Sequence, residues 1–75
     1  MRRVGDVVRI AQGLAVVRAP DADFPETGTA VVDENLDELG TVVDVFGPVD
    51  RPYVAVSPRD DIHLPGLVGR RLYAR

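Results

Sequence analysis

No cysteine occurs in the 75 residues, so neither a disulfide framework nor a thiolate metal site can staple the fold. The absence fits a reducing environment and sets a cytoplasmic expectation. Lysine is missing as well. Nine arginines face nine aspartates and three glutamates, for a net charge of −3. A module that grips nucleic acid by charge alone carries the opposite balance, because phosphate neutralisation supplies most of its affinity. The lysine-free, aspartate-rich composition has two readings, a salt-adapted cytoplasm and the codon bias of a GC-rich genome. No apolar run approaches the ~18 residues needed to span a membrane. The opening Met1-Arg2-Arg3-Val4-Gly5-Asp6 is interrupted by polar groups at once, so no signal peptide is expected.

Catalytic and ligand chemistry is equally thin. His63 is the sole histidine, in a loop with Asp60 and Asp61. A triad would need a nucleophile and an orienting group beside it, and a zinc site would need more nitrogen or sulfur ligands. Asp33, Glu34, Asp37 and Glu38 lack the ordered spacing of a calcium loop and read as a solvated acidic face. Gly40 and Gly47 stand at strand ends with no helix following, which is not a phosphate loop. The expectation is a non-enzyme with no cofactor, no metal and no small-molecule ligand. A small flavin-reductase-type barrel has no residue set to support it.

What the chain does have is valine, fourteen of them, with seven glycines and six prolines at short intervals. Valine is stiff at χ1 and suits a pleated surface, and frequent turn formers divide short strands. Six apolar runs emerge: 4–10, 14–19, 29–32, 39–46, 53–56 and 67–73. Between them lie turns and two longer loops, 20–28 and 58–66. This spacing predicts a single all-β domain over 1–75, a small six-stranded antiparallel barrel near the lower size limit for independent folding. A core so small leaves little surface for a deep cleft. Residues 33–39 are the exception: Asp33 is expected to cap one helical turn, with Leu36 and Leu39 inward and Gly40 ending it.

Period-two reading of the fourth and fifth runs gives a functional clue. Leu39, Thr41, Val43 and Val45 share one face, and Val42, Asp44 and Phe46 the other. Val54 and Val56 oppose Tyr53 and Ala55. A half-buried strand alternates apolar-in with polar-out, yet these strands are apolar on both faces. The face with Val42, Phe46 and Tyr53 is wet unless something covers it, either a partner or a segment of the chain itself.

The stretch 40–56, GTVVDVFGPVDRPYVAV, resembles the central signature of the GAR-type accessory subunit of archaeal H/ACA pseudouridylation ribonucleoproteins. Val31-Val32-Asp33, Gly5 and the strand ending Leu14-Ala15-Val16-Val17-Arg18 match that pattern too, so the likeness spans roughly residues 3–73. It implies a six-stranded barrel similar to those of translation factors. It also implies a non-catalytic role in rRNA pseudouridylation and ribosome biogenesis. The subunit docks on the dyskerin-type pseudouridine synthase, away from the guide RNA, and aids exchange of substrate and product RNA. The other members of such a complex are a zinc-ribbon-like subunit, a kink-turn-binding protein and the guide RNA. Many family members carry glycine/arginine-rich tails, and no such tract occurs in these 75 residues, which places RNA contact at one remove.

Both lines of reading meet on one surface. Gly47 and Pro48 form a rigid corner, and Pro52 fixes the return. Phe46 and Tyr53 are hot-spot residue types, Val42, Val45, Val49 and Val54 supply apolar area, and Arg51 is placed to pair with an acid on the partner. The alternative is a stand-alone RNA-binding barrel of oligonucleotide-binding or translation-factor type. That reading needs stacking platforms beside a basic groove, in a chain with four aromatics.

Overall fold

A computed structural model describes residues 2–75. It contains β1 (Arg2–Ala11), β2 (Leu14–Arg18), β3 (Ala30–Val32), β4 (Glu38–Phe46), β5 (Tyr53–Pro58) and β6 (Arg71–Ala74). Every pairing is antiparallel, and the strands close in the order β1-β2-β5-β4-β3-β6. The expected all-β, six-stranded barrel is therefore present, with no α-helix among the described residues. Closure removes the free edges that would otherwise invite aggregation.

Local chemistry explains the joints. Gln12 and Gly13 both take positive φ, 54° and 76°, which is the two-residue turn that matches strand twist between β1 and β2. The interior is filled by valines of every strand except β6, which contributes Leu72 and Ala74. Gly40 lets β4 come close to β5: a Cβ there would run into the backbone carbonyl of Ser57.

Three expectations change. Residues 33–38 form a hydrogen-bonded turn rather than a helical one. The buried Asp33 carboxylate accepts the N–H of Asn35 at 2.8 Å and of Asp37 at 3.0 Å, and Arg70 donates to its other oxygen at 3.4 Å. Asp33 thus satisfies the turn from inside, and the chain reverses at Leu36, whose φ is +67°. Leu36 consequently points outward at 60 % exposure, while Leu39 is buried as expected. The sixth run is also divided. Leu67 closes a 3₁₀ turn, Leu64–Leu67, and plugs the core, Val68 is exposed, and β6 starts only at Arg71.

The third change concerns facing. Register in β4 slips between Val42, opposite Val56, and Asp44, opposite Ala55. The extra residue, Val43, is a bulge, and a bulge inverts the period-two pattern beyond it. A second slip between β3 and β4 leaves Leu39 as an extra residue on β4. Leu39 and Val42 therefore share the interior, and Val43 is turned out, 46 % exposed.

Candidate docking site

The turn after β4 is built to be rigid. Gly47 has φ +89°, and a Cβ there would lie 2.8 Å from Cδ2 of Tyr53, so the Tyr53 ring roofs the glycine. Both the backbone conformation and the space favour glycine at this corner. Arg51 N–H donates to the Pro48 carbonyl at 3.3 Å and closes the turn. The turn is then tied to the end of β2: Ala19 N–H donates to the Pro52 carbonyl at 3.0 Å, and Arg51 Nε donates to the Ala19 carbonyl at 3.1 Å. Pro52 is buried beneath it.

An outward-facing row runs across four strands at this end. Phe46 pairs with Tyr53, Tyr53 with Arg18, and Arg18 with Asp6. The Phe46 and Tyr53 rings stack with centroids 5.6 Å apart and planes 21° from parallel. The Arg18 guanidinium carbon lies 4.6 Å from the Tyr53 ring centroid, and its Nη1 donates to the Tyr53 hydroxyl at 2.7 Å. Offset aromatic pairs and a cation over a ring each add stability beyond simple burial. Beyond Asp6 the row ends in Arg71, whose Nε donates to Asp6 at 3.2 Å. That hydrogen bond, with the Asp6 charge, holds the Arg71 guanidinium above its ordinary range.

The sequence-derived site residues divide by position. Phe46 is 39 % exposed and Val49 is 90 % exposed. Gly47, Pro48 and Arg51 are also exposed, and Tyr53 is half-buried. Val45 is half-buried and packs against the core. Val42 and Val54, expected to supply outer apolar area, are core residues, at 1 % and 0 % exposure. Inversion at the Val43 bulge accounts for Val42. Val54 faces inward because Tyr53 faces outward. Arg51, expected to pair with a partner acid, is exposed and donates through Nε to the Ala19 carbonyl of its own chain.

Two members of the surface escaped the sequence reading. Arg18 stood out only as the charged end of an apolar strand, and its place over Tyr53 is a consequence of β2–β5 register. Val43 was assigned to the core face because a bulge has no signature in a run of valines. Val43, Phe46 and Val49 are each exposed along the end of β4 and the turn after it, and the exposed acids Asp44 and Asp50 stand beside them in the chain. Rigid, apolar and acid-rimmed, the corner suits a protein groove with a basic rim better than it suits phosphate.

Among the described residues, no group of three or more His, Cys, Asp or Glu could hold a metal ion, and no helix is long and apolar enough to cross a membrane. A family model described as the Gar1/Naf1 RNA binding region matches residues 1–75. No curated protein matches the chain. With the whole length covered, the chain belongs to the Gar1/Naf1 family, that of the GAR-type accessory subunits of H/ACA ribonucleoproteins.

Proposed function

We propose that this Gar1/Naf1-family chain is a non-catalytic subunit that docks on a dyskerin-type pseudouridine synthase through the corner between β4 and β5 and speeds exchange of substrate and product RNA. The observation that carries the reading is Val49, 90 % exposed on a turn tied down at both sides. A small barrel short of core material gains nothing by holding a valine in water. A preset apolar knob, however, loses little conformational freedom when a partner closes over it. The stacked Phe46–Tyr53 pair beside it belongs to the residue classes that dominate interface energetics.

Turnover kinetics test this. Reconstituted synthase with guide RNA is compared with and without the chain, in single-turnover and multiple-turnover conditions. Acceleration of multiple turnover with little change in the single-turnover rate is expected. Equal multiple-turnover rates would refute the exchange role, and failure of the synthase to retain the chain without RNA would refute docking.

A further inference from the structure

Among the described residues only two arginines are not exposed, Arg18 and Arg70. They differ in what meets their charge. Arg70 reaches two carboxylates, Asp33 at 3.4 Å and Glu34 at 3.6 Å. Arg18 reaches none among the described residues, in a chain whose 12 acids outnumber its 9 arginines. Its cross-strand neighbour Asp6 is engaged by Arg71 at 3.2 Å and lies 3.9 Å from Arg3. We infer that the docked partner supplies the missing carboxylate, an Asp or Glu side chain set against the Arg18 end of the Phe46–Tyr53–Arg18 row. This contact presupposes the docking proposed above: the corner brings the partner, and Arg18 meets one of its acids.

The guanidinium is held in place before any partner arrives. Its carbon lies 4.6 Å from the Tyr53 ring centroid, and Nη1 donates to the Tyr53 hydroxyl at 2.7 Å. Nε is buried and has no acceptor. Arg18 cannot swing toward a carboxylate of its own chain without leaving both the ring and the hydroxyl. Ala19, the next residue, is bonded to Pro52 and Arg51, so Arg18 and the corner form one fixed surface. A half-buried guanidinium with no counter-charge is under-satisfied, and a carboxylate matches its planar fork of donors.

A protein carboxylate suits this position better than a phosphate backbone. A nucleic-acid strand would bring several phosphates past Asp6, Asp44 and Asp50 on a chain of net charge −3, whereas a single carboxylate meets Arg18 alone. The opposite charges at the two ends of the row also fix the direction of docking. The partner must set base against Asp44 and Asp50 and acid against Arg18, and the reversed orientation puts like charges together.

The test uses the lack of lysine. Arg18→Lys introduces the only side-chain amine of the chain. Zero-length carbodiimide coupling of this variant to the synthase subunit, at concentrations where the two co-elute, is expected to join position 18 to an Asp or Glu of the synthase, located by peptide mass spectrometry. In parallel, Arg18→Met, which keeps most of the stem, is expected to weaken calorimetric binding about thirtyfold and flatten its salt dependence. Tyr53→Phe removes only the hydroxyl contact and is expected to weaken binding far less. Equal losses from the two variants would make Arg18 a brace for Tyr53 and overturn the inference. A co-eluting complex with no crosslink from position 18, or an unchanged affinity for Arg18→Met, would overturn it too. If Arg18→Met unfolds, the crosslink decides, because Arg18→Lys keeps a charge over the ring. Failure of the wild type to bind refutes docking and this contact together, whereas binding without the crosslink refutes the contact alone.

Discussion

The two turns that flank β4 are both tight and both held by side chains, and they differ in what they leave outside. At 33–38 the chain folds around its own buried carboxylate, and what faces water is mainly acid. At 46–53 the pins come from elsewhere, the Ala19 backbone and the Arg18–Tyr53–Phe46 stack, and what faces water is Val49 and one face of Phe46. The first turn's N–H groups are met by its own carboxylate, which Arg70 braces from outside. The second carries hydrophobic surface, Val49 at 90 % and Phe46 at 39 % exposure, that nothing among the described residues covers. Both turns hold an apolar side chain out at the tip, Leu36 at 60 % and Val49 at 90 % exposure, but only the second sets a stacked aromatic pair beside it, and that combination reads as recognition.

That contrast can be broken by substitution. Asp33→Ala leaves two turn N–H groups and Arg70 without their buried acceptor, and a loss of about 2–4 kcal/mol in stability is expected by denaturant unfolding, with synthase affinity retained in the folded fraction. Phe46→Ala is expected to do the reverse, weakening docking by about 2 kcal/mol while unfolding shifts by less than about 1 kcal/mol. Should Phe46→Ala unfold the barrel, the stack is structural and the contrast fails. Arg51→Ala removes a tether and not a contact surface, so about 0.5–1.5 kcal/mol of stability is expected to go, with a smaller loss of affinity from the loosened corner. Leu36→Ser, at the exposed tip of the acidic turn, is expected to change stability by no more than about 0.5 kcal/mol and docking not at all. A docking defect there would make the two turns alike.

Much of the fold was legible because strand length, valine content and turn residues act locally. The proline- and glycine-marked breaks at 12–13, 20–28 and 47–52 locate the strand ends within a few residues. What was not legible depends on register. A single inserted residue at Val43 turns Val42 inward, and alternation alone gives no sign of it in VVDV. Leu36 was misplaced for a different reason: an aspartate before a polar stretch caps a helix or a tight turn by the same hydrogen bonds. The corner itself was legible, since a Phe-Gly-Pro followed by Pro-Tyr fixes both bends. The stacking of Arg18 onto it required knowing that β2 and β5 are neighbours.

The central claim is that Val49 and its ring neighbours are a preset docking knob. Calorimetric titration of the synthase subunit with the wild-type chain and with Val49→Asp, in the absence of RNA, tests it most directly. The account predicts measurable binding of the wild type, an affinity lower by about 2–4 kcal/mol for Val49→Asp, and an unchanged unfolding midpoint, because the side chain is 90 % exposed. Equal affinities for the two proteins would contradict it.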